Sequence, residues 1–165
     1  MKQWKVEVQN QHPTLVVRKE VVVRLLRDGL TSLSSEGISK RANEVGVVFT
    51  DDREIRRLNK IYRNKNKPTD VLSFSQLEGE DGLDFEGGSL GDIVISLDTA
   101  LNQAVKFKVT PEQEVLRLLM HGMLHLLGYD HVDVPKEEGK KMRALEDTLQ
   151  ERFKGAWRKA WILEK

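Results

Sequence analysis

The chain has 165 residues, 39% hydrophobic and 32% charged, with a formal net charge of +1 and no cysteine. That length fits one domain with a single well-buried core, and the composition is that of an ordinary globular protein. A disulfide framework and a thiolate metal site are excluded, and with so little net charge any nucleic-acid contact must rest on local patches. The opening residues Met1 to Val8 lack the apolar run of a signal peptide, and Val21-Val22-Val23 is closed by Arg24 well short of a membrane span. A cytoplasmic protein with no membrane partner is expected.

Trp4, Val6 and Val8 alternate with polar residues and predict a half-buried first strand. From about Leu15 to Leu33 the positions Val22, Leu25, Leu26 and Leu30 recur at helical spacing. Glu44 to Thr50 reads as a buried strand, and Asp51-x-x-Glu54 as the start of a helix carrying Ile55, Leu58 and Tyr62. Asp70 to Phe74 is a third strand, entered after Pro68. Residues 76–89 are a Gly- and acid-rich loop, and Ile93-Val94-Ile95 is the centre of a fourth strand. Leu97 to Phe107 follows as a helix.

The next helix has clear boundaries. Thr110-Pro111-Glu112-Gln113 places Thr at the N-cap and Pro at the first helical position, and Gly128 stands where the helix must end. Leu116, Leu119, Met120, Met123 and Leu127 predict its buried side. After Pro135 a last helix runs through Met142, Leu145 and Leu149. Strands and helices in this order predict an α/β layered fold whose helical second half carries the chemistry.

Three of the four histidines fall within His121-Gly122-Met123-Leu124-His125-Leu126-Leu127-Gly128-Tyr129-Asp130-His131, spaced H-x-x-x-H-x-x-G-x-x-H. Two imidazoles at i and i+4 point the same way from one helix face, and a glycine beyond the helix can turn the chain so that His131 faces them. Three imidazoles leave the fourth position of a tetrahedral metal open, the arrangement of a catalytic site. His121, His125 and His131 are therefore the expected ligands of one metal ion. Zinc is the default, and nickel, copper or iron also suit imidazole. His12 lies apart, in a polar loop with no partner nearby in sequence, and reads as an ordinary core or surface histidine.

Metzincin proteases share this spacing but carry Glu beside the first His as general base. Here that position is Gly122, which cannot accept a proton, and a metalloprotease is disfavoured. Arg53, Arg56, Arg57, Lys60, Arg63, Lys65 and Lys67 crowd one short segment. Most of them read as a solvated helix face. Arg63 is set apart by its place before a strand that can flank the site, where a guanidinium can grip a phosphate bidentately. Asp130 is a candidate to orient a ligand or shuttle a proton, or a turn residue bonding its own backbone. The acidic stretch Glu78 to Glu86 would repel phosphate. The aromatics Phe153, Trp157 and Trp161, at helical spacing among cations, predict a packed terminal helix before an RNA-stacking platform.

Taken together, Leu58-Asn59 with Arg63, Pro68-Thr69-Asp70-Val71-Leu72-Ser73-Phe74, Gly91-Asp92-Ile93-Val94-Ile95-Ser96 and the histidine motif resemble the YbeY family of bacterial rRNA-maturation endoribonucleases. The resemblance covers roughly residues 42–150. It implies a zincin-like α/β domain with a mixed, mostly parallel sheet of about four strands and helices packed on it. The domain is assigned to residues 1–152, and a Trp-rich tail or helix extension to 153–165. It also implies a zinc-dependent, single-strand-specific endoribonuclease acting in 16S rRNA 3′-end maturation and ribosome quality control. The partners implied are single-stranded RNA, rRNA and ribosomal small-subunit components, with no DNA expected. The three histidines would be the ligands and Arg63 important for activity. Ser75 departs from the family pattern, which often has proline there, as does the tail beyond Arg152. A ribosome assembly factor with a structural metal is the competing reading from another class. Whether the nucleophile is water or the RNA 2′-OH is not legible in the chain.

Overall fold

The structure, a computed structural model, describes residues 3–33, 42–76, 88–130 and 134–165. Along the chain run β1 (Lys5–Asn10), β2 (Leu15–Val17), α1 (Lys19–Leu33), β3 (Ala42–Thr50), α2 (Asp52–Arg63), β4 (Val71–Ser75), β5 (Gly88–Ser96), α3 (Leu97–Phe107), α4 (Pro111–Leu126) and α5 (Lys136–Arg152). A 3₁₀ turn (Lys154–Arg158) and β6 (Ile162–Glu164) close it. The main sheet has the order β1-β3-β5-β4, with β1, β3 and β5 parallel and β4 antiparallel on the edge. This is the mixed, mostly parallel sheet that the family resemblance implies, within the α/β layering that the element order predicts.

Period-2 alternation decides which helix each face receives. Val45, Val47, Phe49, Ile93 and Ile95 face the main core, shared with α1 and α4. Leu72 and Val94 face the other way and bury Ile55 of α2, with Leu58 and Phe74 packed beside them. α4 is buried nearly all round, because α1, α3, α5 and the sheet surround it. Among the described residues no helix is long and apolar enough to cross a membrane.

Three sequence expectations need correction. Leu15–Val17 is a strand and not the first turn of α1, because β6 pairs with it antiparallel, Val17 opposite Ile162. Their pairing brings together the two ends of the chain, which local periodicity cannot register. The Trp-rich segment packs as expected but as a 3₁₀ turn and a strand, not as an α-helix: Trp161 is buried in the main core, and the Glu112 carboxylate receives the backbone N–H groups of Trp161 and Ile162. The fourth strand is longer than its apolar centre, beginning at Gly88. His12 is a core histidine, one of the two ordinary readings its sequence allows: it is only 4% exposed, and its side-chain partner lies far along the chain, Asp98 of α3 at 2.7 Å. Its Nδ1 accepts the backbone N–H groups of Thr14 and Leu15, so Nε2 carries the proton donated to Asp98. Burial favours the neutral form of Asp98, but the bonds from His12 and from the Asp52 N–H outweigh it and hold this carboxyl below its ordinary value. The acidic stretch Glu78 to Glu86 lies outside the described residues.

Candidate metal centre and active site

The helix that carries the histidines begins and ends as its caps dictate. Thr110 accepts the Gln113 N–H at 3.1 Å with Pro111 at the first helical position. At the other end Gly128 takes a φ of 93°, its N–H bonds the His125 carbonyl, and the Tyr129 N–H bonds the Leu124 carbonyl. This pair of bonds is a Schellman closure, which needs a residue at ease with positive φ. It turns the chain immediately before Asp130.

Within α4, Gly122 is buried against the sheet. A Cβ there would stand 2.8 Å from Ile93 Cγ2 and 3.2 Å from Ser73 Oγ, so the helix can lie this close to β4 and β5 only with glycine. The Ser73 hydroxyl donates to the Gly122 carbonyl at 3.4 Å across that contact. A glutamate at the protease position has no room.

His121 and His125 leave α4 on one side, ring centroids 4.5 Å apart and nearly perpendicular. Their Nε2 atoms face each other at 3.0 Å. Two nitrogens bound at about 2.0–2.1 Å to one tetrahedral metal lie about 3.3 Å apart, so this pair is close to ligand geometry. The Nδ1 of His121 bonds the Glu146 carboxylate of α5, both side chains being mostly buried. A carboxylate on Nδ1 holds that proton and leaves Nε2 with the lone pair a metal needs. The residues thus fit a divalent metal. Among the described residues no group of three potential ligands converges; the expected third ligand, His131, lies outside them.

Glu146 was not singled out from the sequence, though a signal exists. It stands four residues after Met142 and three before Leu149, on the buried stripe of α5, where a lone carboxylate requires a partner. One turn before His121, Arg117 pairs with the buried Glu114 and lies 3.8 Å from Asp70. Burial disfavours its charge, but Glu114, Asp70 and Glu146 outweigh that and hold its pKa above the usual arginine value.

The histidine pair opens into a cleft of about 450 Å³ between α4 and the edge strand β4. Arg63 and Asp130 line the same cleft, with Ser73, Phe74 and Ser75. Arg63 comes from the last turn of α2, a helix that starts at its Asp51 cap, where the side chain accepts the Glu54 N–H at 2.9 Å. Its Nη2 donates to the Ser73 carbonyl at 2.9 Å, and its guanidinium lies 5.7 Å from the Phe74 ring centroid. The structure therefore brings four of the five sequence candidates, His121, His125, Arg63 and Asp130, to one cleft. The other cations of this segment are exposed. Arg57 is held bidentately by Glu54, at 2.9 and 2.6 Å, and Arg56 bonds Asn66.

The pattern of the family described as Endoribonuclease YbeY matches residues 7–154. The chain belongs to the YbeY family. A YbeY endoribonuclease from Aquifex aeolicus is 47% identical over 132 residues, covering 79% of this chain and 81% of that one. The YbeY endoribonuclease from Desulforamulus reducens is 50% identical over 124 residues, covering 74% and 79%. A Thermotoga maritima protein solved in solution superposes with a TM-score of 0.60 at 27% identity, covering 93% of this chain and 91% of that one. The YbeY match runs through the edge strand, the basic helix and the histidine helix, the three elements that wall the cleft.

Proposed function

We propose that this protein is a metal-dependent endoribonuclease specific for single-stranded RNA, acting in the cytoplasm in 16S rRNA 3′-end maturation and ribosome quality control. The observation that carries the reading is the convergence of the His121–His125 pair and the Arg63 guanidinium on one cleft. Family membership supports the endoribonuclease activity.

His121, His125 and His131 would hold the metal, zinc by default, with one equivalent per chain. When bound, such an ion supplies Lewis-acid polarisation at the phosphodiester. The chain's own groups do the rest. Glu146 fixes the His121 ring and its tautomer. The Ser73 carbonyl holds Arg63 at the cleft wall, where the remaining guanidinium N–H groups can bind a phosphate and offset the charge that builds on it during displacement. Asp130, on the same cleft, is the group proposed to orient a ligand or move a proton. Incubation with unstructured RNA and with casein, each with and without chelator, tests the reading. RNA should be cut in a chelator-sensitive manner and casein left intact; chelator-sensitive proteolysis with intact RNA would overturn it. Purified protein should carry about one metal per chain, and undiminished metal after joint His121→Ala and His125→Ala substitution would refute the site.

A further inference from the structure

Beside the cleft stands an aromatic residue that the core leaves exposed. Tyr62 immediately precedes Arg63 and is 61% exposed, although a tyrosine usually buries much of its ring. It is nevertheless held in place. Its ring meets Phe74 edge to face, centroids 5.1 Å apart at 66°. Phe74 in turn lines the cleft and packs on the cluster of Ile55, Leu72 and Val94. The backbone beneath is clamped as well: Asn64 caps α2 in the left-handed region, and the buried Asn59 donates to the Lys67 carbonyl at 2.9 Å. The surroundings are cationic, with Lys60 before the pair, Arg63 within it, and Lys65 and Lys67 after it, all exposed.

An exposed ring, braced by a second aromatic and adjacent to an arginine placed to bind phosphate, is what a base-stacking platform requires. Stacking is available only to a base whose face is free, so such a platform accepts unpaired RNA and turns away a duplex. We propose that Tyr62, backed by Phe74, is a stacking subsite for one unpaired base next to the phosphate held at Arg63. This inference rests on the reading of the cleft as an RNA-cutting site. Every base has a π-face, so the subsite selects for single-strandedness and carries little sequence preference.

The test uses an oligoribonucleotide whose cleavage position has been mapped with the wild-type chain, and a series in which one abasic residue is moved along the flanking positions. With wild type, kcat/KM should fall about 5- to 100-fold at one position, the range for loss of one stacked base. Tyr62→Ala should lose a similar factor on the intact RNA, chiefly through KM, and lose nothing further when the abasic residue occupies that position. Tyr62→Trp should retain both the affinity and the positional sensitivity. The inference is overturned if Tyr62→Ala keeps wild-type kcat/KM, or if its loss multiplies unchanged with every abasic substitution, as a contact with backbone or a structural role predicts. Absence of RNA cleavage by the wild-type chain overturns the underlying reading and the inference with it, and is distinguished by the first measurement.

Discussion

The Glu146 carboxylate bonds the Nδ1 of His121 while the Nε2 of the same ring faces His125. One imidazole thus joins α5 to the cleft, its two nitrogens in opposite roles. Only the tautomer with the proton on Nδ1 satisfies both, since that proton goes to the carboxylate and the other lone pair remains for a ligand. Glu146→Ala should weaken metal binding about 10- to 100-fold, and Glu146→Gln by less, because its amide oxygen still accepts the proton. Competition with a chromogenic chelator measures this. Wild-type affinity in Glu146→Ala would show that the ring is oriented by something else.

Gly122 makes a prediction about packing that is separate from chemistry. Alanine in a helix interior is favoured over glycine by about 1 kcal/mol, which alone would make Gly122→Ala stabilising. Against it stands a Cβ 2.8 Å from Ile93 Cγ2, a fully buried β-branched side chain with little freedom to turn, and overpacking of this kind costs about 1–3 kcal/mol. The second effect should win. The difference is a net loss of up to about 2 kcal/mol, and a Tm lower by up to about 8 °C is expected in thermal unfolding. An unchanged or raised Tm would mean that α4 can move off the sheet without cost.

The caps of α4 could be read from Thr110, Pro111 and Gly128 because capping is local, a matter of which residue satisfies which end group. The i,i+4 pair His121 and His125 could be read for the same reason. Glu146 and Phe74 could not be tied to the histidines, since helix packing and sheet register bring them there, and neither leaves a mark at fixed sequence spacing. The β2–β6 pairing shows the limit most plainly. Leu15-Val16-Val17 carries apolar residues that suit a helix start or a strand equally, and the deciding partner, Ile162 to Glu164, lies at the far end of the chain.

His12 and Asp98 give a pH dependence remote from the cleft. The folded-state pKa of Asp98 is lowered, so its contribution is present above the unfolded carboxylate value of about 3.9 and is lost as pH falls through the folded value. Asp98→Asn should destabilise the protein at pH 7 by about 1 kcal/mol; the hydrogen bonds to the charged carboxylate suggest more, but the side chain is 40% exposed and solvent screens it. Urea unfolding of both proteins from pH 7 down to pH 3 checks the sign. The gap between them should close toward low pH, and a gap that widens there would reverse the assignment.

Arg63 carries the most direct test of the chemistry. It reaches the cleft as a guanidinium with one bond committed to the Ser73 carbonyl, so its substitution removes a charge from the cleft wall and takes away neither the His121–Glu146 bond nor the His121–His125 contact. If it stabilises the transition state, Arg63→Ala should lower the single-turnover cleavage rate about 10²- to 10³-fold, with metal content and unfolding temperature close to wild type. Arg63→Lys should recover only part of the loss, because an ammonium cannot hold both Ser73 and a phosphate in one planar fork. Arg56 is the better control among the neighbouring cations, since Arg57 is already paired with Glu54. Arg56→Ala should weaken RNA binding and flatten its salt dependence without changing the rate at saturation. Measuring at saturating enzyme separates the two effects. Cleavage by Arg63→Ala at the wild-type rate under those conditions would reduce Arg63 to a binding residue, leaving the charge on the phosphate to be met by the metal and the rest of the cleft.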